Sequence, residues 1–346
     1  MLSFMRSKLR RVWNLQFKFK VRNLNTEILD LKSSEVRDQK SEVHNLKSEN
    51  HDLTEGAVET MANSNVVNVA WVQARLAENR PLVFADVRFH PKEAEYGTKA
   101  YRQGHLPEAV FIDFKAELTD PAQQHGGRSP LPSPERLART FGALGIDRST
   151  TVVVYEDVNG PAASRLWWIL KYLGADNVYV LDGGYQAWAA AGLPISVETP
   201  TPQPREFVPE VRSDWLVGVE EVRAASSAGR GSGAALVDSR DAAQYLGREA
   251  PFDPIAGHIP GARHYFWKGA LNEDGTWKST DELRERFADL PKDEEIIVYC
   301  GSGISATPNV LAFREVGYEN VKLYAGSWSD WISYAGNPVA VGGSNS

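Results

Sequence analysis

The chain has 346 residues, 42% of them hydrophobic and 24% charged, with a formal net charge of −7. That balance describes a globular protein of about two domains and argues against nucleic acid as the main partner. No run approaches the roughly 18 apolar residues that span a bilayer, and a single cysteine, Cys300, excludes an internal disulfide framework or a multi-cysteine metal site.

Residues 1–63 read as an extension, helical or disordered, ahead of the globular pattern. Met1 to Asn25 hold seven basic residues and no acid, the composition of an amphipathic targeting or membrane-surface element. The runs beginning at Ser34, Ser41 and Ser48 then repeat every seven residues, with Val36, Val43 and Asn50 at one heptad position and Gln39, Leu46 and Leu53 at the other. This is a short coiled-coil pattern with polar residues in its seam, suited to weak self-association or a monomer. A solvated tail is the plainer alternative, and Met61 is an equally good start for the functional protein.

From residue 64 the chain reads as a tandem duplication. Leu82-Val-Phe-Ala-Asp-Val-Arg88 returns as Ala235-Leu-Val-Asp-Ser-Arg240, and Gly104-His-Leu-Pro-Glu-Ala109 as Gly257-His-Ile-Pro-Gly-Ala262. The strand Thr151–Tyr155 returns as Glu295–Tyr299, and Asn177–Trp188 as Asn320–Trp331, in the same order. Within each copy short apolar runs alternate with helical patterns, such as the helix start at Ser133-Pro-Glu-Arg. The pattern predicts an α/β protein of two similar domains, each a parallel sheet flanked by helices. We place the first over residues 64–195 and the second over 214–346. The proline-bearing stretch 196–213 is read as a linker along the surface.

In the second copy, Ile296–Tyr299 gives a buried central strand, and Gly301 and Gly303 break it into a tight loop. Pro308 fits the first turn of the helix that follows. A thiol at the end of such a strand faces loop amides and a helix N-terminus, which favour the thiolate. The commonest fate of a lone cysteine is nevertheless a small buried hydrophobe. The first copy has Glu156 in the aligned position, so one repeat can do cysteine chemistry and the other cannot.

The two-fold repeat, Gly257-His-Ile-Pro-Gly-Ala262, Cys300-Gly-Ser-Gly-Ile-Ser-Ala306 and Tyr324-Ala-Gly-Ser-Trp-Ser-Asp-Trp331 together resemble the tandem rhodanese sulfurtransferases over about residues 66–342. Within that family a loop opening Cys-Gly-Ser-Gly is similar to the 3-mercaptopyruvate branch; the thiosulfate branch carries Cys-Arg-Lys-Gly, two cations that Gly301 and Ser302 do not supply. The resemblance implies that Cys300 takes sulfur from a small anionic donor, becomes a persulfide, and passes the sulfur to a thiol such as thioredoxin or to cyanide. No metal and no cofactor are expected. It implies catalytic roles for Cys300, Ser302 and His105, and donor binding by Arg240, Arg248 and the loop residues Gly301, Gly303, Ile304 and Ser305. For Arg240 the competing reading is an ion pair with Asp238 or Asp241. For His105 it is a turn-fixing hydrogen bond shared with its partner His258. For Ser302 it is capping of loop amides. Arg128 and Arg165 add positive potential from the first copy or are surface charges, and Trp328 and Trp331 wall the cleft or pack the core.

Two rival functions share the scaffold: a thiosulfate:cyanide sulfurtransferase, and a non-catalytic sulfur carrier or scaffold assembled through the heptads. A Cys-x5-Arg phosphatase is excluded because position 306 is alanine. Likeness to bacterial members points to the cytoplasm. The basic start keeps a mitochondrial address open.

Overall fold

The structure is a computed structural model that describes residues 64–157, 160–229 and 233–343. The basic segment and the heptads lie outside the described residues.

The first repeat runs β1 (Val66–Val67), α1 (Val69–Ala77), β2 (Val83–Asp86), α2 (Tyr96–Gln103), β3 (Val110–Phe111), α3 (Phe114–Glu117), α4 (Pro134–Ala143), β4 (Val152–Tyr155), α5 (Pro161–Tyr172), β5 (Val178–Leu181) and α6 (Gly184–Ala190). The second runs β6 (Leu216–Val217), α7 (Val219–Ala228), β7 (Ala235–Asp238), α8 (Ala242–Tyr245), β8 (Arg263–His264), α9 (Thr280–Arg286), β9 (Ile296–Tyr299), α10 (Thr307–Glu315), β10 (Val321–Tyr324) and α11 (Ser327–Trp331).

Each repeat builds a five-stranded sheet, in the order β1-β5-β4-β2-β3 and β6-β10-β9-β7-β8, with every neighbouring pair parallel. The registers correspond, Asp86 lying beside Tyr155 and Asp238 beside Tyr299. β4 and β9 are the middle strands, and their continuous apolar sequences are wholly buried, as strands covered on both faces must be. Glu156 and Cys300 directly follow their carboxyl ends, where open parallel sheets bind ligands. The local signals at the helix starts work as read: Ser133 Oγ accepts the Arg136 amide ahead of α4, and Pro308 sits in the first turn of α10.

The two repeats share a core. α5 packs against α10, and Leu166, Trp167 and Trp168 belong to one buried cluster with Leu311, Phe313 and Cys300. Burying an indole is worth on the order of 5 kcal/mol of transfer energy, so this seam contributes to holding the halves together. The outer face of each sheet carries its own cluster, with Tyr155 and Trp188 in the first and Tyr299, Trp328 and Trp331 in the second. The connecting segment lies along the first repeat, where the Arg205, Glu210 and Arg212 amides donate to the carbonyls of Gly142, Leu173 and Tyr172.

Candidate active site

One polar network is built twice. In the first repeat Arg88 grips Asp86 through Nε (3.1 Å to each carboxylate oxygen) and Nη2 (2.7 Å), and Nη2 also donates to Gly104 O at 2.7 Å. Tyr155 donates to the same carboxylate at 2.7 Å and accepts the Leu106 amide. In the second, Arg240 grips Asp238 through Nε (3.0 and 3.1 Å) and Nη2 (2.5 Å), donates to Gly257 O at 2.7 Å, and Tyr299 accepts the Ile259 amide. All four charged side chains are buried, where an arginine is retained only by a two-pronged acid. Burial disfavours the Arg240 charge, yet Asp238 overrides this and raises its pKa above the ordinary arginine value. Because the thiol-free repeat has the same network, its first task is to fasten each strand end to its Gly-His loop.

Cys300 opens the loop that only the second repeat uses. It is 1% exposed, and the Gly303 amide donates to its sulfur at 3.1 Å. Gly303 has φ +78°, and a side chain there would overlap the carbonyl of Ala325, so only glycine turns this amide onto the sulfur. The amides of Ser302, Ile304 and Ser305 donate to no acceptor among the described residues, leaving them available to a bound anion, as in other backbone cradles. From the far side, the Cys300 carbonyl accepts the Trp328 amide at 2.9 Å and the Gly301 carbonyl accepts the Ser329 amide at 3.0 Å.

The first repeat completes the site with two arginines. Arg165, on α5, is fully buried. Its Nη1 donates to Gly303 O at 2.9 Å, so the glycine whose amide faces the sulfur is held by Arg165 at its carbonyl, in the next peptide unit. Among the described residues, Arg165 Nε and Nη2 have no hydrogen-bond partner. Burial lowers its pKa to about 10, with Cys300 pulling the other way, so it stays charged at neutral pH. Arg128 lies over Gly301, where Nη2 is 2.5 Å from the position a side chain would take. Its charge is answered by Asp253, whose carboxyl burial raises above the ordinary range against the pull of Arg128 and Arg240. The Gly126 amide donates to Asp330 Oδ1 at 2.6 Å and the Arg128 amide to Ser329 Oγ at 3.1 Å, docking this loop onto α11.

The residues named from sequence therefore part company. Cys300, Gly301, Ser302, Gly303, Ile304 and Ser305 form one loop, and Ser302 Oγ makes no hydrogen bond among the described residues, leaving it open to a ligand rather than spent on capping. Arg240 stands near the sulfur but is committed to Asp238, the ion pair that competed with a substrate role. Two expectations need correction. His105 is not brought into hydrogen bonding with Ser302: its Nδ1 lies 2.7 Å from Tyr101 O, its Nε2 3.2 Å from Glu198 O, and its ring stacks on Tyr101 at 3.8 Å. His258 repeats this arrangement on Tyr245, so the histidine belongs to the duplicated turn. Arg248 is exposed, and its side chain makes no contact with the loop among the described residues. Arg165, read as added positive potential from the first copy or as a surface charge, is buried against the loop. Its signal was an arginine inside Pro161-Ala-Ala-Ser-Arg-Leu-Trp-Trp-Ile-Leu170, a run too apolar to face water. Trp328 and Trp331 are core residues, and Arg240 stacks over the Trp328 ring at 4.7 Å. No group of three or more metal-ligating side chains occurs among the described residues.

Comparison with known proteins returns one family. The rhodanese-like domain matches twice, over residues 68–191 and 219–334. The chain is 37% identical over 287 residues to a probable 3-mercaptopyruvate sulfurtransferase of Pseudomonas aeruginosa, covering 82% of this chain and 100% of that protein. It is 37% identical over 279 residues to the putative thiosulfate sulfurtransferase SseB of Mycobacterium tuberculosis, covering 80% and 97%. Among solved structures it is similar to SseA of Escherichia coli, a 3-mercaptopyruvate sulfotransferase, with TM-score 0.68, 31% identity, and coverage of 77% and 99%.

Proposed function

We propose a reaction from one premise: the chain belongs to the rhodanese family, as two tandem repeats, and is a sulfurtransferase. The reading supported best is transfer of sulfur from 3-mercaptopyruvate through a persulfide on Cys300. In the first half-reaction the Cys300 thiolate attacks the donor's sulfur and forms a sulfur–sulfur bond. The donor's carbon–sulfur bond breaks, its electron pair leaves as the enolate of pyruvate, and the proton carried on the transferred sulfur ends on the enolate carbon. In the second, an acceptor thiolate attacks the outer sulfur of the persulfide and returns Cys300 as thiolate. Each half-reaction replaces one anionic sulfur by another, which the loop amides are suited to hold.

The observation that carries the donor assignment is the state of the three arginines beside the loop. Arg128 is neutralised by Asp253 and Arg240 by Asp238, whereas Arg165 has no carboxylate and two unused donor nitrogens. Among the described residues this leaves one uncompensated guanidinium, a match for the single carboxylate of 3-mercaptopyruvate rather than the two charges of thiosulfate. We assign to the Ser302 hydroxyl, which makes no hydrogen bond among the described residues, a hydrogen bond to the donor. We assign the acceptor to the class of small or protein thiols, thioredoxin included.

The test is intact-protein mass spectrometry after mixing with 3-mercaptopyruvate. We expect Cys300 alone to gain one sulfur atom, pyruvate to appear in equal amount, and C300S to gain nothing. A chain that gains no sulfur, or a C300S variant that still does, sinks the reading.

A further inference from the structure

We propose that Ser327 is a positioning residue for the nucleophile, tying the backbone of Cys300 into the attacking geometry. The inference rests on the reading of Cys300 as the sulfur nucleophile. Ser327 is fully buried and has φ +56°, a left-handed conformation unfavourable to every residue but glycine. Its hydroxyl accepts the amide of Cys300 at 3.1 Å and donates to Tyr324 O at 2.8 Å, so both capacities of the hydroxyl are used and its orientation is fixed.

The first repeat supplies the control. Gly184 occupies the equivalent position with φ +54°, and the Tyr185 amide donates to Glu156 O at 2.9 Å just as the Trp328 amide donates to Cys300 O. A side chain on Gly184 would overlap the Glu156 carbonyl. The serine therefore does more than fill space: its presence requires the strand end at Cys300 to sit differently from the one at Glu156, and the hydroxyl then holds it there. The strained residue occurs in the repeat that carries the thiol, and the relaxed glycine in the one that does not. The converse pair, Glu108 at φ +61° against Gly261 at φ +85°, shows that strain at one of two equivalent positions does not by itself mark function; what singles out Ser327 is its hydroxyl on the Cys300 amide.

Physically, the Cys300 backbone is clamped from both sides, by Ser327 Oγ at its amide and by the Trp328 amide at its carbonyl. With the backbone fixed, the sulfur stays opposite the Gly303 amide. Removing the clamp leaves the thiol in place but lets it wander by a fraction of an ångström, which slows attack without changing how the donor binds.

S327G is the informative variant, because glycine is relaxed at this φ and the fold is not put at risk. Single-turnover persulfide formation with 3-mercaptopyruvate is followed by mass spectrometry as a function of donor concentration. We expect the limiting rate to fall about tenfold for lost alignment of this kind, with the half-saturating concentration unchanged and the thermal midpoint no lower than that of the unaltered chain. S327A, which keeps the Cβ and loses the hydroxyl, is expected to be slowed to the same degree. An unaltered limiting rate in either variant, or a loss expressed in half-saturation instead, overturns the assignment. Failure of the unaltered chain to form persulfide in the same experiment would instead sink the functional reading, so the two failures are distinguishable.

Discussion

The two repeats are the same scaffold with a carboxyl at the end of one middle strand and a thiol at the end of the other. In the second, the loop amide of Gly303 faces a thiol. In the first, the amide of Ala163 donates to the carboxyl of Glu156 at 3.2 Å, and burial pushes that carboxyl up to about 8 against the amides that stabilise its charge. The docking is reciprocal as well: loop 125–128 of the first repeat bonds to α11 of the second, while the Trp277 amide of the second donates to Asp182 Oδ1 of the first at 2.9 Å. What differs is the cation. Aligned on the bonds that end the two helices, Ala175 N–H to Leu170 O in α5 and Tyr318 N–H to Phe313 O in α10, Arg165 stands opposite Pro308. The first repeat thus lends its guanidinium to the second and, among the described residues, receives no such group in return. Duplication followed by division of labour is visible in three differences: thiol for carboxyl, arginine against proline, and left-handed serine for glycine.

Three experiments would break or sharpen that comparison. The largest effect is expected at Arg165. R165K keeps the charge but loses the planar fork, and kcat/KM for 3-mercaptopyruvate should fall about hundredfold, mostly through KM. A near-normal KM would remove Arg165 from donor recognition and leave it the role of holding Gly303.

Next is the pH dependence that Glu156 imposes on stability. Folded, its carboxyl keeps a proton up to about 8; unfolded, it ionises near its ordinary value of roughly 4.3. Between those limits the folded state binds more protons than the unfolded one, so stability falls as pH rises through this window and is level above it. E156Q cannot ionise and should lose this part of the slope, which is at most about 1.4 kcal/mol per pH unit for one group. Thermal midpoints of both proteins at pH values across the window measure it. An identical slope in E156Q means that another group is responsible.

The smallest expected effect is a null. E156C puts a thiol at the end of β4, within reach of loop amides but without a facing guanidinium. Incubated with 3-mercaptopyruvate, it should still gain one sulfur, on Cys300, and the C300S/E156C double variant should gain none. Sulfur on residue 156 would show that amides suffice and that the arginine is not what separates the repeats.

The duplication, the parallel sheets and the reactive strand end were legible in the chain because they depend on local periodicity and on short motifs present twice. Repetition also contained the competing structural readings of His105 and Arg240, since His258 and Arg88 are their copies and Arg88 serves a repeat without a thiol. Ser327 carried no such signal: a serine adopting a left-handed conformation looks like any other serine until its backbone is seen.

By itself the sequence determined that one of two like halves bears a thiol on a glycine loop, since hydrophobic period and turn chemistry act over a few residues. Only the tertiary structure decided which side chains surround that thiol. Arg165 lies 135 positions before Cys300 in the chain and reaches its loop because α5 and α10 bury their apolar faces against each other. Which arginines are paired with a carboxylate, and which one has no such partner among the described residues, follows from that packing and from no pattern within either segment.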